Sequence, residues 1–466
     1  QEQGVMALKF VDRRGVLAGL AAMALMPAAS PAQRRSGRAI VIGAGVAGLA
    51  CARDMMRAGL DVVVLEAQAR IGGRLKTSHQ WEGLPVELGA SWIYGVTGNP
   101  AASIARSAGL DLQPVDFANR AVYEAGSGPL GPRALARLEA VERRLERHMQ
   151  NTPGEALARA CRTRPRGTIA NRVARQVSLD ATGASQHQRA QFAINSIVEH
   201  EFGTDFEHLS RCFWTEGEAL PGGDAWIAGG FDQLAQSLAD GLDIRLGQRV
   251  ERVDYQGNGV AVTTANGVEQ ADVVIVTVPL GVLQAGHIRF EPGLPETKLE
   301  AINALGCGVL NKCVLRFDAV SWPRNIEIFN RLADARGEWS QFVNLGAFGE
   351  GGAIMALNAG SFAHELEAAS DAMTGRLALE ALRSMFGSGF PEFSALQVTR
   401  WAGDEYALGS HSFPIEATRA DTRIRLLDAV DNRIFFAGEA TSTNAPGTVH
   451  GALRSGRAAA VAVVER

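Results

Sequence analysis

The chain is short of several things, and each shortage closes a route. Only five of its 466 residues are cysteine (Cys51, Cys161, Cys212, Cys307 and Cys313), an odd count with no CxxC spacing. Neither a disulfide framework nor a structural zinc site is indicated. The nine histidines are scattered without HExxH, so no metal site is expected. Lysine is scarce: Lys9, Lys76, Lys298 and Lys312 are the four, and arginine supplies the rest of the 46 basic residues. The formal net charge is only -4, too small for an overall field that recruits nucleic acid or acidic lipid. No apolar run is comfortably long enough for a membrane span, so stable membrane insertion is not expected. Disorder is excluded by 46% apolar against 21% charged residues. The length fits roughly two to four domains or lobes, with ample core.

What is present begins with a targeting pattern. Asp12-Arg13-Arg14-Gly15-Val16-Leu17 leads into a small apolar run from Ala18 to Ala29, followed by small residues up to Ala32. This is the layout of a secretory signal, and the paired arginines resemble the twin-arginine type. That machinery exports folded proteins, which suits a chain that binds a cofactor before leaving the cytoplasm. Residues 1–35 are therefore read as a signal segment, and a periplasmic or secreted location is expected.

A dinucleotide-binding unit follows. Arg38 to Ile42 is a short β-type run, and Gly43-Ala44-Gly45-Val46-Ala47-Gly48 comes at once. Leu49 to Ala58 reads as a helix stopped by Gly59, and Asp61 to Leu65 as a second strand ending at Glu66. Gly43 allows the tight turn, Gly45 lets backbone approach a pyrophosphate, and Gly48 lets the helix pack on the sheet. Free N–H groups at the helix start bind phosphate. Glu66 accepts the ribose hydroxyls and disfavours a 2′-phosphate. The segment Ala67-Gln68-Ala69-Arg70-Ile71-Gly72-Gly73-Arg74 resembles a second fingerprint of FAD enzymes, with arginines suited to paired hydrogen bonds to phosphate. Glu87-Leu88-Gly89-Ala90-Ser91-Trp92 looks like a loop on the flavin side of the same group.

The middle of the chain is less specific. Arg133 to Gln150 alternates Arg and Glu at helical spacing, which reads as a solvated helix face. Residues 190–220 mix aromatics with Glu199, Glu201, Glu216 and Glu218, a blend that suits either a cationic ligand or a packed helix pair with an acidic rim. Gly308 to Phe317 is a strand. Strict alternation puts Lys312 on one face with Leu310 and Val314, and pattern alone favours solvent for that face. Arg433 to Ala440 reads as a strand ending at Gly438-Glu439. Pro446 to Ala452 then opens a helix whose first N–H groups suit an electron-rich atom. No flexible linker separates these parts, so the lobes are interleaved.

Taken together, these motifs resemble the flavin-dependent amine oxidases, closest to the polyamine oxidases and related to the monoamine oxidases and histone demethylases. The resemblance spans about 38–466. It rests on GxGxxG with Glu66, Ile71-Gly72-Gly73-Arg74, Gly89-Ala90-Ser91-Trp92-Ile93, Leu220-Pro221-Gly222-Gly223, Asn311-Lys312, Trp401-Ala402-Gly403-Asp404, Gly409-Ser410-His411-Ser412 and the segment from Gly438 to Gly451. It implies an α/β fold: a Rossmann-like FAD-binding domain (36–110, 220–295, 400–466) interleaved with an α+β substrate domain on a mixed sheet (111–219, 296–399). Lys312 matches the lysine that holds a water near flavin N5, which reverses the solvent-facing preference. Trp401 matches the aromatic beside the flavin ring, and Val250 the residue whose backbone meets the adenine. Glu439 matches an acid near the ribityl–pyrophosphate section, with Thr448 and Val449 at the pyrimidine end. Ala67, Arg70, Gly73, Arg74, Gly89, Ala90, Ser91, Trp92 and Gly438 complete the expected cofactor set.

Departures shape the substrate expectation. Tyr94 stands where polyamine oxidases often have histidine. His411 and Thr448 stand where monoamine oxidases place two tyrosines. No cysteine occupies the place that bonds FAD in monoamine oxidases, so non-covalent FAD is implied. The expected reaction is oxidation of a C–N bond of a di- or polyamine by hydride transfer to flavin N5. Imine hydrolysis follows, and dioxygen is reduced to hydrogen peroxide. Glu199, Glu201 and Glu216 are candidates for holding a remote ammonium. Monoamine oxidase, L-amino acid oxidase and a non-catalytic amine-sensing flavoprotein stay open as alternatives.

Overall fold

The computed structural model describes residues 37–150, 167–177, 184–214, 217–348 and 351–466. The expected signal segment, residues 1–35, and Glu216 lie outside these residues. A five-stranded parallel sheet forms the first lobe, in the order Ile434–Phe436, Val273–Val276, Arg38–Ile42, Asp61–Leu65, Asp243–Arg245. Apart from the edge strand Asp243–Arg245, its strands are short, apolar and buried on both faces, as a parallel sheet covered on both sides requires. Alternation along Arg38–Ile42 divides the core. Ala39 and Val41 meet the helices Val46–Arg57, Asp232–Ala239 and Val449–Val464. Ile40 and Ile42 meet Val250, Val253, Val260 and Val262 of a four-stranded sheet on the other face.

The second lobe is a seven-stranded mixed sheet. Its order is Ala395–Val398, Leu310–Arg316, Ala353–Ala359, Gln341–Asn344, Ile328–Leu332, Arg120–Glu124, Gly128–Pro129. The pair Ile328–Leu332 and Arg120–Glu124 is parallel and the rest antiparallel. Cys313 and Leu315 point toward the helix Asp371–Phe386, packing on Leu379, Leu382 and Met385. Val314, Met355 and Leu357 point the other way, against Trp81, Trp92 and Trp226. The chain thus interleaves: the parallel sheet draws strands from both ends and the middle, and the mixed sheet takes segments between.

Lys312 falls on the Val314 face as alternation requires, but that face is covered. The lysine is 4% exposed, so the solvent-facing reading fails. Cys51, Cys307 and Cys313 are free thiols, whereas Cys212 is disulfide-bonded, a bridge the spacing did not reveal. Among the described residues no helix is long and apolar enough to cross a membrane, and no cluster of histidine, cysteine and acids could hold a metal ion.

Candidate functional site

A cavity of about 800 Å³ collects residues from both lobes. One part of it is built by the Gly43 turn. Gly43 has φ +104°, a conformation that side chains rarely adopt, and its N–H donates to Leu65 O at 2.8 Å. A Cβ on Gly48 would lie 2.0 Å from Gly43 O, so only glycine lets this helix approach the turn. Beside Gly45, by contrast, a Cβ would meet nothing within 4 Å: the helix start opens on the cavity. Glu66 sits at the end of its strand and accepts from Ala44 N at 2.7 Å and Gln68 N at 2.8 Å. Burial pushes its carboxyl up, against these backbone donors. Trp92 lines the same cavity, and among the described residues its buried indole N–H has no protein acceptor. Open backbone at a helix N-terminus, an acid at the second strand end and an unused donor fit an FAD molecule.

A second part is the lysine–tryptophan unit. Lys312 Nζ donates to Glu87 O at 2.9 Å, Gly89 O at 2.5 Å and Ser91 Oγ at 2.5 Å. Burial lowers its pKa, with the buried Glu87 carboxylate pulling the other way. Glu87 itself is fixed by Thr77 Oγ1 and by Phe231 N–H at 2.7 Å. The neighbouring Asn311 links strand to tryptophan. Its Oδ1 accepts from Trp401 N and Thr399 Oγ1, each at 3.0 Å, while its Nδ2 donates to Glu367 at 2.6 Å. Glu367 also accepts from Ala402 N and Gly403 N, both at 2.8 Å. Trp401 Nε1 donates to Leu88 O at 3.2 Å. Lysine and tryptophan are therefore set by one hydrogen-bonded frame.

Glu439 knots the cavity wall. It pairs with Arg74 at 3.0 Å and accepts from Ser412 Oγ at 2.7 Å and Gly447 N at 2.9 Å. Burial works against its charge, but Arg74, Ser412, Arg423 and His411 together hold its carboxyl down at about 2. The helix Val449–Val464 starts nearby, N-capped by Thr448, whose hydroxyl accepts from Gly451 N at 3.0 Å.

A third part is acidic. Glu201, Asp224 and Tyr94 all line the cavity and lie close enough to feel one another. Burial raises all three, and each acid raises the tyrosine further. Asp224 accepts from Gly95 N at 2.8 Å. Among the described residues, neither carboxylate has an ion pair. His411 Nε2 lies 2.9 Å from Glu201 O, and a carbonyl oxygen only accepts, so Nε2 carries the proton and holds the Glu201 segment in place.

Of the residues expected from sequence, Gly43, Gly45, Glu66, Ala67, Gly73, Arg74, Gly89, Ala90, Ser91, Trp92 and Val250 line this one cavity. So do Tyr94, Glu201, Lys312, Trp401, His411, Gly438, Glu439, Thr448 and Val449. Two expectations need correction, and one packing role holds. Arg70 does not reach the cavity: its guanidinium donates to Ile71 O, Gly73 O and Leu75 O, bracing the loop. Glu199 is 2% exposed and spent on protein donors, namely Arg336 at 3.0 Å, Asn195 Nδ2 at 3.0 Å and Phe206 N at 3.3 Å. Gly48 is a packing residue beneath the turn. Sequence reasoning missed Asp224 and His200, and gave Glu87 no role of its own within the Glu87–Trp92 motif. For Glu199 a signal existed: on a helix, residues two apart point about 200° apart, so Glu199 and Glu201 could not share a face.

A two-lobed frame with a parallel dinucleotide-binding sheet and a buried lysine opposite it defines a cofactor-dependent oxidoreductase. The model of the family described as flavin containing amine oxidoreductase matches residues 46–464. Polyamine oxidase 2 of Arabidopsis thaliana is 36% identical over 436 residues, covering 91% of this chain and 88% of that protein. Polyamine oxidase 3 of Oryza sativa subsp. japonica is also 36% identical, over 91% of this chain and 88% of that one. A solved putrescine oxidase, a double mutant redesigned for cofactor binding, superposes with a TM-score of 0.75 at 18% identity, over 92% of this chain and 99% of its own. The chain belongs to the flavin amine oxidase family. It is an FAD-dependent amine oxidase.

Proposed function

We propose that the substrate is a di- or polyamine, oxidised at a C–N bond, with FAD held non-covalently. One observation carries this reading: Glu201 and Asp224 line the cavity and, among the described residues, have no protein cation. Two carboxylates brought together on a cavity wall, with burial and then the Asp224 charge raising the pKa of Glu201, are eased by a cationic ligand between them. A diamine supplies that charge at the nitrogen that does not react. FAD, when bound, would supply the two-electron acceptor for the C–N bond and the route from it to dioxygen.

The chain's own residues do the rest. The buried cavity disfavours the ammonium form of the reacting nitrogen, leaving its lone pair free. Trp401, fixed at its backbone N–H and at Nε1, offers a rigid aromatic wall. Lys312 holds a proton at Nζ among three acceptors. When it gives that proton up, the Ser91 hydroxyl can donate back to the amine lone pair. The cofactor contacts proposed are backbone at Gly45 and Gly73, the Glu66 carboxylate, Arg74 and the Val449 helix start. An amino acid oxidase needs a free arginine for the substrate carboxylate. Here Arg74 is bound to Glu439, and Arg249 to Glu405 at 2.7 Å.

The test is anaerobic bleaching of the yellow protein with spermine, spermidine, putrescine and tyramine, followed by product analysis. The first three should bleach it and tyramine should not; bleaching by tyramine alone overturns the polyamine reading. Glu201→Gln and Asp224→Asn should each raise KM for spermidine by about tenfold, the scale of one lost charge contact.

We further propose export in folded form. The arginine pair and small-residue run of residues 12–32 support it, as does disulfide-bonded Cys212, since disulfides persist in oxidising compartments. Replacing Arg13 and Arg14 by lysine should retain the protein in the cytoplasm of a bacterial host. Unchanged fractionation overturns the assignment.

A further inference from the structure

The residues that bracket Trp401 are all tied to one helix end. The helix Gly360–Glu367 finishes on a carboxylate, where its own dipole disfavours negative charge. A local rule broken in this way points to a task elsewhere. Glu367 Oε1 accepts from Asn311 Nδ2 at 2.6 Å and Ala402 N at 2.8 Å, and Oε2 accepts from Gly403 N at 2.8 Å. On the other side of the tryptophan, Arg400 Nε donates to Glu367 O at 3.2 Å and Nη2 to Ala369 O at 2.7 Å. Asn311 falls on the opposite face of its strand from Lys312, and neither it nor Glu367 is among the residues lining the cavity. What reaches the cavity from Glu367 is the orientation of one amide. A carboxylate only accepts, so Glu367 draws Nδ2 of Asn311 toward itself and leaves Oδ1 facing the other way. Oδ1 then accepts from Trp401 N and Thr399 Oγ1, and Thr399 Oγ1 in turn accepts from Lys312 N at 2.8 Å. Reversed, the amide would point its own N–H groups at the Trp401 N–H.

We infer that Glu367 is a positioning residue for the oxidation: through the Asn311 amide it sets Trp401 and the Lys312 strand as one unit, without touching substrate or cofactor. This role rests on the reading of Trp401 and Lys312 as the walls of the reacting site, and adds the group that aligns them. It is independent of which amine reacts.

The test uses the FAD-loaded full chain with spermidine, or whichever amine of the panel bleaches the wild type. Glu367→Gln keeps the shape but puts an N–H group where only an acceptor fits. The limiting rate of anaerobic flavin reduction should fall about tenfold, since misplacing a reacting group by about 1 Å costs up to roughly a hundredfold. FAD should stay bound, and the amine concentration at half-saturation should stay within about twofold, so the loss falls on kcat rather than KM. Amide hydrogen exchange across residues 400–404 should quicken, with or without FAD. Asn311→Asp alone sets two carboxylates against each other. Combined with Glu367→Gln it again faces a donor with an acceptor, so the double variant should recover part of the rate and slow the exchange. Leu366→Ala loosens the same helix from its packing; it should lower the melting temperature and leave the reduction rate unchanged. An unchanged rate in Glu367→Gln, additive losses in the double variant, or an equal loss in Leu366→Ala overturns the inference. If Asn311→Asp does not fold, a double variant that folds supports it and one that also fails overturns it. A wild type bleached by no amine overturns the reading of the site as well.

Discussion

Lys312 shows how one side chain can be built into the site from several directions. Its three acceptors come from residues 87–91, far from it in sequence, and two of them are main-chain carbonyls. Lys312→Met keeps the length and removes every N–H. Each buried acceptor left bare costs on the order of 1–3 kcal/mol, so the melting temperature should fall. FAD content should stay near one per chain, because the Gly43 turn and Glu66 are untouched. Stopped-flow absorbance should show one half-reaction slowed by about a hundredfold, within the range for losing a proton-handling group. Unchanged rates in both half-reactions would remove the lysine from the chemistry. The burial of Lys312 was not legible from alternation. A period of two tells which residues share a face, and never which face is covered. Family resemblance supplied that, and Trp81, Trp92 and Trp226 are the physical reason.

At the scale of elements, the dinucleotide turn was legible because it is local. Strand, glycine turn, helix, strand and acid follow within thirty residues, and each has its own signature. The acidic subsite was not, because Asp224 starts the strand Asp224–Ile227 and reaches Glu201 only through the fold. The C-terminal helix illustrates the same limit. Val449–Val464 was readable as a helix, but its crossing against Val46–Arg57 depends on Gly456. A Cβ there would lie 2.1 Å from Ala47 O. Gly456→Val should therefore push apart the two helices that cover the parallel sheet. Overpacking of this kind costs about 1–3 kcal/mol or more, and here it displaces the helix start that lines the cavity. The variant should melt several degrees lower and lose flavin on gel filtration. A melting curve and flavin-to-protein ratio equal to wild type would show that the helices can slide without cost.

Across the whole molecule, Glu439 ties together parts of the chain that are distant in sequence. It joins Arg74 from the early loops to Ser412 and to Gly447, while Arg423 donates to Ser412 Oγ at 2.9 Å and Ala440 O at 2.8 Å. Because its carboxyl is held at about 2 against an ordinary value near 4.5, the charged form is favoured in the folded state. The stability this contributes, about 3 kcal/mol at 1.36 kcal/mol per pH unit, is fully present above pH 4.5. It declines as pH falls and is gone once the folded carboxyl protonates near pH 2. Glu439→Gln should flatten this part of the acid limb of a Tm-against-pH curve. At neutral pH it should cost about 3–5 kcal/mol, since Arg74 loses its buried partner. Denaturant unfolding of the two proteins across pH 2 to 7 measures both effects together. If the two curves run parallel down to pH 2, the carboxylate is not what joins the early loops to the C-terminal segment, and that junction rests instead on the Arg74 bond to Ser410 O and the packing of Val449–Val464.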